Sequence, residues 1–107
     1  MELVCTLTEL AEMPVLQVSG EIDLATLPVF RDALTRAISL HPGATLAVDL
    51  DGVYALDDTG FGMLLGAAAS AREHHGDLVI VSTNERLRAR FALTRLDRAV
   101  TVLTSLH

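Results

Sequence analysis

The sequence predicts an α/β fold: one domain over residues 1–107, in which a mixed, mostly parallel sheet is covered by helices in the order ββαβαβαβ. Three observations carry this reading. Apolar residues alternate along the first twenty or so positions, the period of a half-buried strand. From there on, stretches with helical spacing alternate with short apolar runs. Half of the residues are hydrophobic but only 4% are aromatic, so one core built mostly from Leu, Val, Ile and Ala fits a chain of 107 residues.

The elements can be taken in chain order. "LVCTLTEL" alternates and reads as a strand, "AEMP" as a turn, and "VLQVSGEI" as the second arm of a hairpin, with Leu16, Val18 and Ile22 on one face. "TLPVFRDALTRAISL" puts Leu27, Phe30, Leu34, Ala37 and Ile38 at helical spacing, with Pro28 in the first turn, where its missing N–H costs nothing. "HPG" ends that helix. "ATLAVDL" is an apolar run of strand length, and "DGVYALDD" reads as a connection. A helix is expected from about Thr59 to His75, stopped by Gly76. "DLVIVS" has the continuous apolar character of a strand buried on both faces. "TNERLRARFAL" opens with Thr83 or Asn84 as N-cap and turns Leu87 and Phe91 to the core. "AVTVL" is the last strand.

Composition excludes several classes of function. The net charge of −6 argues against nucleic acid as the main partner. The charge is uneven: residues 1–58 hold ten acids and two arginines, while residues 59–107 hold six arginines and four acids. Arg86, Arg88, Arg90, Arg95 and Arg98 crowd one short segment, either as a solvated helix face or as a patch for an acidic partner. "MELVCTLTEL" has none of the marks of a signal peptide, and the longest uncharged run, Thr59 to Ala71, is shorter than the roughly 20 apolar residues needed to span a bilayer. A cytoplasmic protein without direct membrane contact is expected. Cys5, the only cysteine, alternates with Leu3 and Leu7 and reads as a buried strand thiol.

The most informative stretch is "ALDDTGFGMLLG", residues 55–66. Asp57 and Asp58 stand where a helix begins, and carboxylates there satisfy unpaired N–H groups and the positive end of the helix dipole. Capping does not account for the rest of the segment. No charge appears from Gly60 to Ala71, whereas an ordinary surface helix is polar on its outer face. Phe61, Leu64, Leu65 and Ala68 fit a core face; Gly62, Gly66, Ala69 and Ser70 fit a small apolar outer face rimmed by acids. That is the pattern of a protein–protein contact surface, unless another element of the domain covers it.

Catalytic alternatives fail on the same residues. A dinucleotide fingerprint needs a third glycine where Leu65 stands, and adjacent carboxylates repel a pyrophosphate. A P-loop and a phospho-aspartate receiver both need a lysine, and the chain contains none. His74 and His75 are adjacent at a helix end, and His41 and His107 stand alone, so no metal-ligand spacing exists and all four read as surface residues. Ser70 lacks a Gly-x-Ser-x-Gly elbow. No enzyme activity, cofactor or metal is expected.

"SGEIDLATLPVFRDAL", "LAVDLDGVYALDDTGFGMLLGAA" and "LVIVSTNERLRARFALTRLDRAV" together resemble the STAS domain of bacterial anti-sigma factor antagonists, from about Val15 to Val102. The resemblance rests on a Gly-Glu-Ile-Asp type turn and an Asp-Ser-Ser/Thr-Gly-Leu-Gly type helix start. It implies a binding module whose partner is an anti-sigma factor of the histidine-kinase-like ATPase type. It implies phosphorylation of the first hydroxyl residue after the motif's Asp, which breaks the complex. It also implies a final helix, which this sequence shortens or lacks. Asp57 aligns with the motif Asp and Gly60 with its Gly, so Asp58 occupies the phosphoacceptor position and Thr59 the second hydroxyl position. Three outcomes stay open: binding without that switch, a permanent weak imitation of phosphate by Asp58, or Thr59 as an alternative acceptor. Asp23 aligns with a loop carboxylate linked to kinase contact, though a cap for the helix near Thr26 explains it equally well. The partner surface implied is Asp23, Asp57, Asp58, Thr59, Gly60, Phe61, Gly62, Met63 and Gly66. STAS domains also serve in transport systems, and an accessory subunit contacting an ABC-type ATPase is the alternative; a nucleotide sensor fits the acidic mouth less well.

Overall fold

The computed structural model describes residues 2–106. Strand β1 (Leu3–Leu10) turns back into β2 (Met13–Ile22), and α1 (Leu27–Leu40) leads to β3 (Thr45–Leu56). Helix α2 (Asp58–Glu73), β4 (Asp77–Val81), α3 (Glu85–Leu93), the single turn α4 (Leu96–Ala99) and β5 (Thr101–Leu103) complete the chain. The expected order ββαβαβαβ holds, with the last helical segment split into α3 and α4.

The sheet runs β1-β2-β3-β4-β5 in space. Only β1 and β2 are antiparallel; every later pair is parallel. Because each crossover joins neighbouring strands and crossovers share one hand, the helices collect on one face. The main core reflects this. It joins Phe30 and Leu34 of α1, Leu64 and Ala68 of α2, Phe91 of α3 and Leu96 of α4 to Leu16, Val48, Leu50 and Ile80 of the sheet. The opposite face has its own small cluster, Val15, Ala47 and Val81 with Met13, Val79 and Leu106, and no helix contributes to it. β4 is therefore not buried on both faces throughout: Leu78 and Ile80 are covered by helices, while Val79 is half-buried on the other side.

Three further details differ from the sequence expectation, each for a tertiary reason. "DGVYAL" is not a connection but the second half of β3, because the ten-residue β2 keeps pairing with it as far as Ile22↔Leu56 through two register shifts. Leu65 faces out, 42% exposed, so the core face of α2 is Gly60, Phe61, Leu64, Ala67, Ala68 and Ala71. Cys5 is half-buried, because β1 is an edge strand and α1 covers it only in part; that burial pushes its thiol pKa up. At the end of α2, His75 takes the left-handed conformation (φ 67°), and Gly76 is required for space: a Cβ there would lie 2.2 Å from the Ala44 carbonyl oxygen. His41 is half-buried and His74 and His75 are exposed; His107 lies outside the described residues.

Candidate functional site

The carboxyl ends of β2 and β3 bring the β2–α1 loop and the start of α2 together. The Asp57 N–H donates to the Ile22 carbonyl at 3.1 Å, so the last rung between the strands leads straight into the helix cap. Asp57 has extended backbone (φ −88°, ψ 176°) and is the N-cap of α2, and its Oδ1 accepts the Gly60 N–H at 3.3 Å. The same oxygen accepts the Thr59 hydroxyl at 2.5 Å. That hydroxyl, followed by the backbone donors of the first turn and the Arg90 guanidinium, holds the Asp57 carboxyl below the usual carboxylate range.

Asp58 is the first residue of α2, and its side chain is 94% exposed. Arg90 of α3 reaches it, with Nη2 3.2 Å from Oδ1. The same guanidinium donates through Nη1 to the Leu56 carbonyl and lies over the Phe61 ring, 4.5 Å from its centroid. Phe61 in turn meets Phe91 edge-on, with centroids 5.5 Å apart at 81°. One arginine thus ties α3 to the end of β3, to the first residue of α2 and to the aromatic pair beneath.

Asp23 and Thr26 form a reciprocal pair in the β2–α1 loop. Asp23 Oδ1 accepts the Thr26 N–H and Thr26 Oγ1 accepts the Asp23 N–H, each at 3.0 Å. The Thr26 hydroxyl also donates to the Glu21 carbonyl at 2.7 Å. Thr26 is the N-cap residue of α1 but makes no side-chain cap bond to it; the Asp23 side chain braces the loop, while the Asp23 carbonyl accepts the Leu27 N–H of the first turn at 2.9 Å.

The anticipated surface divides into two concavities. Asp23, Asp57 and Asp58 line a cleft of about 500 Å³ with Tyr54, Arg86 and Arg90. Gly62, Met63 and Gly66 line a second one of about the same volume between α1 and α2, opposite Arg31, Thr35 and Ile38. Thr59 is exposed and lines neither. Gly60 and Phe61 do not face solvent: Phe61 is 5% exposed, and a Cβ on Gly60 would meet Leu56 Cδ1 at 2.2 Å. They set the height and tilt of the helix start instead of presenting it. Open space surrounds Gly62 and Gly66, and Leu65 and Ala69 are exposed, so the uncharged outer face of α2 is uncovered among the described residues.

The sequence profile described as Mlab, STAS domain, matches residues 5–104. The chain belongs to the STAS domain family. It is 34% identical over 85 residues to an anti-sigma-B factor antagonist of Listeria monocytogenes, covering 79% of this chain and 74% of the relative. It is 31% identical over 85 residues to the anti-sigma-B factor antagonist of Bacillus subtilis, covering 79% and 76%. Among solved structures, an anti-sigma factor antagonist from Mycobacterium paratuberculosis superposes with a TM-score of 0.88 at 26% identity, covering 98% of this chain and 88% of that one. Within this STAS domain, Arg90 is the residue sequence reasoning passed over: it counted only as one of five clustered arginines. Its place directly before the core residue Phe91 was the available signal. Among the described residues, no group of three or more His, Cys, Asp and Glu is arranged to hold a metal, and no helix is long and apolar enough to cross a membrane.

Proposed function

We propose that this STAS domain is an anti-sigma factor antagonist whose partner is an anti-sigma factor of the histidine-kinase-like ATPase type, and that it engages this partner without the usual phosphorylation switch. The observation that carries the reading is Asp58: an exposed carboxylate at the first position of α2, joined to Arg90, where the family motif has the phosphoacceptor serine. A carboxylate cannot serve as an ordinary serine or threonine acceptor. A phosphate would bring about −1.5 to −2 charge to that position; Asp58 brings a single charge with Arg90 beside it. The helix start therefore carries less net negative charge than a phosphorylated one, which favours standing affinity over standing release. Thr59, the neighbouring hydroxyl, donates to Asp57, which orders it against the cap. Asp23, Asp57 and Asp58, with the Thr59 hydroxyl, form the polar part of the docking surface, and Gly62, Met63 and Gly66 the apolar part; Gly60 and Phe61 support both from below.

The test uses purified anti-sigma ATPases from the same genome. Titration calorimetry with ATP present should give binding by the wild type, with no phosphate transferred to it. Asp58→Ser should bind at least as tightly and become phosphorylated at residue 58, with release following. Failure of every such ATPase to bind would overturn the partner class. A phosphate on wild-type Thr59 would overturn the unswitched mechanism and leave the partner standing.

A further inference from the structure

The free edge of β1 and the flank of α1 form an apolar groove of about 730 Å³, lined by Leu3, Cys5 and Leu7 on the strand and by Val29, Arg36 and Leu40 on the helix. It shares no lining residue with either concavity of the candidate site, so its test is independent of the antagonist reading.

β1 pairs with β2 from Leu3↔Gly20 to Leu10↔Met13 and has no strand on its other side among the described residues. The hairpin turn determines which backbone groups are free. Ala11 and Glu12 have φ of 51° and 70°, a two-residue turn with both positions left-handed. In such a turn the flanking pair, here Leu10 and Met13, is the hydrogen-bonded one, and bonded positions alternate along the strand. Val4, Thr6, Thr8 and Leu10 therefore bond to β2, while the N–H and C=O groups of Leu3, Cys5, Leu7 and Glu9 point to the open edge. Strand edges are ordinarily blunted by lysine, proline or a bulge. β1 has none of these, and Glu9 is its one charge.

Helix α1 adds a second stripe beside its core stripe. Val29, Ala33, Arg36 and Leu40 recur at i, i+4, i+7 and i+11, with Val29 49% and Leu40 58% exposed. Leu3, Cys5 and Leu7 beneath are only half-buried.

We propose that this face binds a second copy of the chain, β1 pairing antiparallel with its own counterpart about a two-fold axis at Cys5. The surface is complementary to itself, which is what a two-fold interface requires. Opposed residues in an antiparallel pair share a face, so the axis must match odd positions with odd. At Cys5 it sets Leu3 against Leu7 of the second copy and Val4 against Thr6, and leaves Glu9 beyond the apolar segment. An axis at Thr6 would drive Glu9 against Leu3, and one at Leu7 would set it against Cys5. The helices obey the same axis. α1 runs parallel to β1, since both oppose β2, and its stripe lines one groove with Leu3, Cys5 and Leu7, so the same two-fold sets the two α1 helices antiparallel. Two antiparallel α1 helices then place Val29 against Leu40 of the second copy and Asp32 against Arg36, apolar on apolar and acid on base.

Sedimentation equilibrium of the full chain over a micromolar to submillimolar range should show a monomer–dimer equilibrium. A short bismaleimide should cross-link the dimer through Cys5, the only thiol. Arg36→Asp and Asp32→Arg, both on exposed positions, should each weaken the dimer by roughly tenfold or more, and the double swap should restore it, with unchanged circular dichroism throughout. A monomer at every concentration would overturn the proposal. So would a dimer that does not cross-link at Cys5 or that ignores the single swaps.

Discussion

Arg90 and Asp58 are 32 residues apart in sequence, yet the guanidinium Nη2 of one lies 3.2 Å from the carboxylate of the other. The pair is unequal. Asp58 is almost wholly in water, while Arg90 is held on its inner side by the Leu56 carbonyl and the Phe61 ring. The main contribution of Arg90 is therefore to join α3 to the start of α2, and the ion pair adds little.

Removing the two partners should have different effects. Arg90→Gln loses a cation–π contact and a charged donor to a main-chain carbonyl, and should lower stability by about 1–2 kcal/mol. Asp58→Asn loses an exposed pair and an exposed charge at the helix start, and should change it by less than about 1 kcal/mol. Urea denaturation of the two variants beside wild type checks the order; equal losses would mean that the ion pair, not the inner contacts, fastens α3.

The Asp57 carboxyl gives stability a defined acid limb. Its folded pKa lies below the ordinary 3.8, so its contribution is fully present above that value and is lost as pH falls through the folded pKa. Asp57→Asn keeps a capping oxygen but cannot titrate. Unfolding midpoints measured from neutral pH downwards should fall less steeply below about pH 4 in the variant than in the wild type. Parallel curves would show that other carboxylates dominate acid unfolding.

The three glycines of α2 should not respond alike to alanine. A Cβ on Gly60 meets Leu56 Cδ1 at 2.2 Å and Ile22 Cγ2 at 2.9 Å, both on core residues, and Gly60→Ala should cost about 1–3 kcal/mol. Gly62 and Gly66 face open space, and alanine there should stabilise the helix by up to about 1 kcal/mol each. If thermal melting ranks the three alike, the helix start is not seated as described. Should Gly62→Ala or Gly66→Ala raise stability but weaken partner binding, the glycines are kept for the surface they leave bare.

Asn84 accepts the N–H groups of Arg86 and Leu87 at 2.9 and 3.2 Å, so it is the cap of the helix that carries Arg90. Asn84→Ala should cost about 1 kcal/mol, and Asn84→Asp should recover most of it. Chemical denaturation of both variants tests this, and an unaffected Asn84→Ala would put the ordering of α3 elsewhere.

Local signals carried much of the sequence reading. The stripe of Phe30, Leu34, Ala37 and Ile38, the cap at Asn84 and the inward Leu87 and Phe91 can be read from spacing and side-chain chemistry alone. The features that were missed depend on distant partners. Asp51 and Gly52 make the second half of β3 look like a loop, and only the length of β2 extends it. Leu65 is as apolar as Leu64, and which of them is covered depends on how α2 lies on the sheet. Asp57 and Asp58 were legible as the mouth of a helix. That Asp57 is the cap and Asp58 meets an arginine could be told apart only with the helix start and α3 in place.

The bond from the Asp57 N–H to the Ile22 carbonyl has a further consequence. It ties the junction of β3 and α2 directly to β2, so the docking surface proposed above is already held together in the free chain. Binding then carries little ordering entropy. Bound and free chains should superpose to within about 1 Å over their Cα atoms. Any large rearrangement on forming the proposed complex should then belong to the other protein.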